Sequence, residues 1–272
     1  MQISNVLKQR IELNQIFDTN KAAWNLISPA HEYAAFYDIP NFVKTKNSLH
    51  KIELDALGNV KGKKILHLQP HICVDSISLA EKGAFVTVFD FSKEALRIGK
   101  KLSKELNITL DFIEDNVLNI DFENQFDIVF LSYGALCWIP DLREYFELIH
   151  KALKPSGFFY FVDFHANLLC YDTQTNNRKY YPTTAEVPIH EYRTGSYASN
   201  ENKKKYEVYY WIHSVSDIVN ALTYVGFMLN DVEEFEYLPF DCFPGLEQDN
   251  YKWEFKGNLK GLPLLISAKS YK

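Results

Sequence analysis

The run Ile65-Leu66-His67-Leu68-Gln69-Pro70-His71-Ile72-Cys73-Val74-Asp75 decides how the chain is read. Its first four residues make a short apolar strand, entered from the basic turn Lys61-Gly62-Lys63-Lys64. Beyond it strands and helices alternate. Phe85 to Phe89 reads as a second strand, Leu110 to Ile113 as a third, Phe126 to Leu131 as a fourth and Phe158 to Phe164 as a fifth. Ser92 is placed to N-cap a helix carrying Ala95, Leu96, Ile98 and Leu102 on one face; Leu142, Phe146, Ile149 and Leu153 mark another, which the Lys154-Pro155-Ser156-Gly157 turn ends. Apolar strands joined through helices need crossover connections. That predicts a doubly wound α/β domain whose mainly parallel sheet has helices on both faces.

Outward from this core the pattern loosens. Before it, Ile11, Phe17, Trp24, Ile27, Tyr33, Phe36 and Tyr37 recur at roughly helical spacing, with breaks expected at Pro29 and Pro40. Residues 1–57 are therefore expected to form a cap of short helices on a core spanning 58–272. An irregular, tyrosine-rich insertion at 166–205 carries the loop signals Thr173-Gln174-Thr175-Asn176-Asn177 and Ser199-Asn200-Glu201-Asn202. After it come a strand (Tyr206 to Ile212) and a helix with a Ser214/Asp217 capping box and Gly226 past its end. Two last strands, Phe227 to Tyr237 and Leu262 to Ala268, suit an antiparallel hairpin at the sheet edge.

Composition narrows the function. The 272 residues are 47% hydrophobic and 24% charged with no run long enough to span a bilayer, so a membrane partner is not expected. A net charge of −6 gives no positive field for a phosphate backbone and argues against nucleic acid. The four cysteines form no C-x-x-C pair, and the N-terminus shows no secretory signal; a reducing, cytoplasmic setting is the expectation. Aromatics reach 15%, more than a core of this size needs, which points to a pocket for a small-molecule substrate.

In an open α/β sheet ligands bind beyond the carboxyl ends of the strands. Asp90, ending the second strand, is placed to accept both hydroxyls of a ribose; it could equally cap the helix that follows. His71 with Asp75 gives two metal ligands without a third, so no metal is assigned. His67, inside the first strand, reads as a hydrogen-bonded core residue.

The segments Ile65 to His71, Leu79-Ala80-Glu81-Lys82-Gly83-Ala84 and Val86 to Ser92 resemble the first two motifs of class I S-adenosylmethionine-dependent methyltransferases. They are most similar to a bacterial small-molecule subgroup whose first motif reads H-L-Q-C-H-F-G-x-D-T. The resemblance continues through Phe126-Asp127-Ile128-Val129, Ser132-Tyr133-Gly134, Leu153 to Gly157, Phe164-His165 and Tyr210 to Ser214. It implies a Rossmann-like, mainly parallel seven-stranded sheet with an antiparallel C-terminal edge strand, and S-adenosyl-L-methionine as methyl donor. Carried over, Gln69 and His71 border its methionine moiety, Asp90 the ribose, Phe91 the adenine face, Asn116 and Val117 the adenine edge, and Ser132 and Tyr133 floor the pocket under the sulfonium. The superfamily's usual first motif has glycines where this chain has Gln69, His71 and Cys73; the subgroup keeps the last glycine, and Pro70 stands for its Cys. A Cβ at a position needing positive φ costs about 1–2 kcal/mol or clashes.

Methyl transfer asks mainly for alignment and exclusion of water, with a base where the acceptor holds a proton. His165 is the candidate base, or else a neutral ring tying the strand end to the insertion, and Tyr133 could orient the acceptor. Trp24, Tyr37, Trp138 and Trp211, with Tyr180, Tyr181 and Tyr197, are the candidate substrate-binding aromatics, suited to an apolar or planar acceptor. Substrate choice is expected in the cap and insertion, with the sheet ends left to the donor. Two other functions fit less well. A methyltransferase-like scaffold without activity would account for Cys73 and Pro70; an NAD-dependent oxidoreductase lacks its G-x-G-x-x-G turn.

Overall fold

The computed structural model describes residues 2–172, 177–182, 187–199 and 203–272; the loop signals at 173–176 and 200–202 lie outside them. In chain order the elements are α1 (Gln2–His31), α2 (Ile39–Thr45), α3 (Lys51–Leu57), β1 (Lys64–Leu68), α4 (Val74–Glu81), β2 (Phe85–Asp90), α5 (Lys93–Glu105), β3 (Asp111–Glu114), β4 (Phe126–Ser132), α6 (Leu142–Ala152), β5 (Leu153–Phe164), α7 (Ala166–Leu169), β6 (Ile189–Arg193), β7 (Tyr206–Tyr210), α8 (Val215–Val225), β8 (Met228–Phe235), β9 (Leu246–Asp249), β10 (Lys252–Phe255) and β11 (Leu265–Tyr271).

Seven strands form one sheet in the order β3-β2-β1-β4-β5-β11-β8. β1 to β5 are parallel, and β11 runs antiparallel to both β5 and β8, the C-terminal hairpin closing that edge. The reversal of winding direction between β1 and β4 is the switch point where such sheets bind ligands. Both sheet faces are covered. One apolar layer includes Ile65, Ile77, Leu96, Phe130 and Val162; the other includes Leu66, Val129, Phe146, Phe159 and Leu222. His67 is buried among them, its Nδ1 2.7 Å from Ser76 Oγ, as expected of a core histidine.

Three parts differ from the sequence reading. The cap begins with one 30-residue helix, and Pro29 does not break it, because a proline in the last turn forfeits one bond where few remain to be made. Pro40 sits in the first turn of α2, where an amide N–H has no helical partner anyway. The strand expected at Tyr206–Ile212 ends at Tyr210 and pairs with β6 as a separate ribbon, and β9–β10 form another. The capping box of α8 forms as read, with Gly226 at φ 102° after it.

α1 lies across α5 and the ribbon. Asn20 exchanges two hydrogen bonds with Tyr209, its Nδ2 donating to Tyr209 O at 2.8 Å and its Oδ1 accepting from Tyr209 N at 2.9 Å. Asn25 Oδ1 accepts from Ser92 Oγ and Glu94 N, and the nearly buried Glu32 receives Lys101 at 2.6 Å and Arg97 at 3.5 Å. The cap is thus tied to the turn that follows Asp90.

The start of α4 is fitted to α5 at one point. Cys73 is buried, and a Cβ on Gly99 would lie 2.7 Å from its sulfur and 2.9 Å from its Cβ. Glycine inside a helix gives up about 1 kcal/mol relative to alanine, and here the vacancy houses the Cys73 side chain. Gly99→Ala should therefore destabilise the fold by about 1–3 kcal/mol in denaturant titrations despite its better helix propensity. Adding Cys73→Gly should restore most of the loss, and a stability equal to wild type in the single variant would show the niche is slack.

Candidate functional site

Four non-glycine residues at the carboxyl ends of β1 and β4 hold left-handed backbone: Gln69 (φ 52°), His71 (φ 51°), Cys73 (φ 66°) and Tyr133 (φ 46°). The first three are the places where the usual methyltransferase loop has glycine. The loop has kept the glycine conformation and tied off the side chains. Gln69 donates from Nε2 to Ala135 O at 3.1 Å and accepts from the Tyr145 hydroxyl at 3.1 Å. The His71 ring rises toward the cap, while Cys73 turns into the Gly99 niche. The steric conflict expected at Cys73 is resolved in this way, and α4 starts directly after it.

Asp90 ends β2, 8% exposed, with Oδ2 accepting from His71 N at 3.2 Å and Oδ1 from Ser92 N at 2.7 Å. It touches both the loop and the helix cap, so the two roles expected of it are not exclusive. Burial lifts its carboxyl from the usual 3.8 to about 6, against the pull of the Ser92, His71 and Phe91 backbone. Phe91 is half-buried beside it; Asn116 caps a short helical turn by accepting from Leu118 N at 3.0 Å, and Val117 is buried.

The loop after β4 is shaped by Asp163, buried in β5. Its carboxylate accepts from the backbone amides of Gly134, Ala135 at 3.0 Å and Leu136 at 2.7 Å. Tyr133 N donates to Val162 O, which together with this clamp holds Tyr133 in its strained conformation. Ser132 Oγ donates to Asp75 Oδ2 at 3.3 Å, and Ser48 Oγ to the other oxygen at 2.5 Å. Below lies Glu53 of α3, with no exposed surface; its Oε2 accepts from His50 N, while Oε1 and the Tyr133 hydroxyl have no hydrogen-bond partner among the described residues. Burial first, then the Asp75 charge, raises Glu53 to about 7, and burial and Glu53 raise the Tyr133 hydroxyl.

Aromatic rings close this end of the sheet. Trp24 meets His71 at 5.2 Å and Trp138 at 5.5 Å between ring centres, Tyr37 packs on His31 and His71, and Phe240 meets Tyr133 at 4.9 Å and Phe36 at 5.5 Å. His31 is the joint: Nδ1 lies 2.7 Å from His71 Nε2 and Nε2 2.7 Å from Ser196 Oγ, so one imidazole links cap, loop and insertion. The Tyr37 and Tyr197 hydroxyls are hydrogen-bonded to each other beside it. Desolvation pushes His31 down to about 4 and His71 well below its usual value.

Of the expected substrate aromatics, Trp24, Tyr37, Trp138 and Tyr197 converge here. Trp211 does not; it is buried behind the β4 loop with Cys137, Asp163 and His213. Tyr180 bonds Glu191 near the ribbon and Tyr181 is exposed under Arg178. His165 has a structural occupation: Nδ1 accepts from Asn167 N at 3.0 Å to cap α7, and Nε2 lies 2.7 Å from Glu234 of β8. With its Nδ1 lone pair committed and 5% of its surface exposed, its surroundings fit the tie between strand end and insertion. His31 and Glu53 were missed in the sequence, where Asp163 was marked only by its place at the end of the fifth strand, although the Glu53 capping box, three residues after His50, was a visible signal. A cavity of about 460 Å³ lies elsewhere, between α1 (Thr19, Ala23) and the ribbon (Tyr192, Tyr206).

Comparison with known proteins gives three findings. Residues 73–157 match the methyltransferase domain family. Among curated proteins, the demethylmenaquinone methyltransferase of Paenarthrobacter aurescens is 29% identical over 130 residues, covering 46% of this chain and 49% of that protein. The methyltransferase phqN of Penicillium fellutanum is 27% identical over 198 residues, covering 71% and 52%. The chain thus spans about half the length of the curated relatives it matches. Among solved structures, the DhpI–SAH complex superimposes with a TM-score of 0.57 at 15% identity, over 94% of this chain and 96% of that one. An S-adenosylmethionine-dependent methyltransferase of Mesorhizobium loti gives 0.56 at 18%, over 80% and 94%. The fold is therefore the Rossmann-like fold that these methyltransferases share, and the stretch from Cys73 to Gly157 that matches the methyltransferase domain model holds Asp90, Asn116 and Tyr133.

Proposed function

We propose that the chain transfers a methyl group from S-adenosyl-L-methionine to a small-molecule acceptor. The observation that carries this reading is the loop after β1, which holds a glycine-type backbone at Gln69, His71 and Cys73 next to a buried acid at the end of β2. Such a backbone keeps the tight turn that sets the loop against Asp90 at the strand ends. Asp90 and Phe91 would hold the ribose and adenine, Asn116 and Val117 the adenine edge, Gln69 and His71 the methionine end, and Ser132 and Tyr133 the ground under the reacting centre. When bound, the sulfonium supplies a methyl group already activated for displacement. The chain's own work is to align the acceptor and exclude water, and the ring cluster of Trp24, Tyr37, Trp138 and Tyr197 suits both tasks. The likeness to enzymes named for demethylmenaquinone favours an apolar, planar acceptor body.

The competing reading, a ligand-binding scaffold without transfer, drew on Cys73 and Pro70. The Gly99 niche removes the steric part of that argument. A cytoplasmic workplace is part of the proposal; no helix of the described residues is long and apolar enough to cross a membrane. The cap and insertion are assigned to acceptor choice, with one amendment. Asn25 and His31 reach the donor side of the site, so the cap serves both ligands.

Calorimetry with S-adenosylhomocysteine tests the proposal: binding in the micromolar to millimolar range is expected, with no heat from NAD. Silence with both at millimolar ligand would leave only the scaffold. In a folded Asp90→Ala variant, affinity should fall by about 1.5–3 kcal/mol per hydroxyl bond lost.

A pH series adds a signature. Asp90 must be ionised to accept two hydroxyls, and its folded carboxyl titrates near 6, above the ordinary value, so the ionised form is depleted as pH falls through 6. Affinity for S-adenosylhomocysteine should drop by up to tenfold per pH unit below that point. Asp90→Asn should bind more weakly and flatten that limb; an equally steep limb in the variant would assign it to another group.

A further inference from the structure

The most unusual group in the molecule is Glu53. A carboxylate taken wholly out of water costs several kcal/mol unless a cation or a full set of donors repays it. Glu53 has one well-formed donor, His50 N, on Oε2; on Oε1 it has only the neighbouring Tyr133 hydroxyl, which makes no well-formed hydrogen bond there. Its charged neighbour is Asp75, which makes matters worse, and the hydroxyls of Tyr133, Tyr160 and Tyr237 lie around it with the His50 ring. Asp75 itself is met by the hydroxyls of Ser48 and Ser132. Among the described residues no lysine or arginine forms an ion pair with either acid. Among the described residues no cation neutralises Glu53, so the acid meets its burial cost by holding a proton or by pairing with a positive charge that a ligand brings.

The chemistry that repays this arrangement is a positive charge arriving with a ligand. Tyr133 stands over Glu53, and Phe240, Phe36 and Tyr37 continue from it as aromatic faces, which attract cations in proportion to their desolvation. An anionic acceptor would meet two like charges, and a neutral alcohol would leave the Glu53 charge unpaired. We propose that the acceptor is an amine on an apolar or aromatic body, its ammonium group drawn to Glu53 and Asp75 beside the Tyr133 ring, with Glu53 as the group that takes its proton. This rests on the methyl-transfer reading.

The step balances. An ammonium has no lone pair, so R–NH3⁺ first gives a proton to the Glu53 carboxylate, leaving R–NH2 and a neutral acid. The nitrogen lone pair then forms the new N–C bond as the C–S bond breaks, its electrons staying on sulfur; the positive charge passes from sulfur to nitrogen, and the thioether leaves neutral. The elevated titration of Glu53 suits an acid that must take up and release a proton near neutrality.

The test uses the full chain and three probes of one shape: 2-phenylethylamine, 2-phenylethanol and 3-phenylpropanoate, titrated calorimetrically with and without saturating S-adenosylhomocysteine. The amine should bind at least about tenfold more tightly than the other two. Its lead should largely vanish in Glu53→Gln, and shrink in Asp75→Asn, which keeps Glu53 and guards against a folding defect in the first variant. Equal binding of the three, a lead for the alcohol or the carboxylate, binding of none, or an amine preference surviving both variants overturns the inference. Heat from S-adenosylhomocysteine alone reports separately on methyl transfer. If it appears while the amine shows no lead, only the acceptor class falls; if it is absent, the methyl-transfer reading falls whatever the amine does.

Discussion

Left-handed backbone at residues with side chains is the constraint around which this end of the molecule is built. Gln69, His71, Cys73 and Tyr133 each sit where a Cβ crowds the following carbonyl, at about 1–2 kcal/mol apiece. Each is held by something specific. Gln69 is braced between Ala135 and Tyr145, His71 between Asp90 and His31, Cys73 by the vacancy at Gly99, and Tyr133 by Val162 and the Asp163 clamp. A hydrogen bond nets about 1 kcal/mol, so these restraints are of the right size to offset the strain. Remove the restraints and the loop relaxes away from the form that admits a ligand.

Charge is distributed with the same economy. Asp90 and Asp163 are buried but accept from backbone amides, which offsets part of the desolvation that raises both carboxyls. His31 and His71 are kept neutral by burial and exchange a hydrogen bond that two imidazolium rings could not make. Glu53 is the exception: a single backbone amide reaches it, and Asp75 beside it is met by the Ser48 and Ser132 hydroxyls.

What the sequence disclosed follows from how local the signals are. Apolar runs such as Phe126 to Leu131 announce buried parallel strands, so the sheet and Asp90 at the end of β2 could be placed without coordinates. The unusual loop could be flagged because three bulky residues stand where glycine is customary. His31, by contrast, gains its role from His71, 40 residues away, and Ser196, 165 residues away. The same holds for the clamp of Asp163 on Gly134 and for the Tyr206 strand, whose apolar pattern says nothing about whether it pairs with the main sheet or with β6. The neighbours of His165 are equally distant: its position at a strand end is the position of a base, and the Asn167 amide on Nδ1 and the Glu234 carboxylate near Nε2 come from the insertion and from β8.

The unbroken length of α1 has a kinetic consequence. At 1.5 Å per residue its 30 residues form a rod of about 45 Å, fastened to the ribbon at Asn20, to the β2–α5 turn at Asn25, to the loop at His31 and near its end to α5 through Glu32. A rod cannot lift at one fastening alone, so the roof opens as a unit or scarcely at all. Entry of a ligand beneath it would then be paced by the protein's own opening. The observed association rate would level off as ligand concentration rises, and residence times would be long even for ligands of modest affinity.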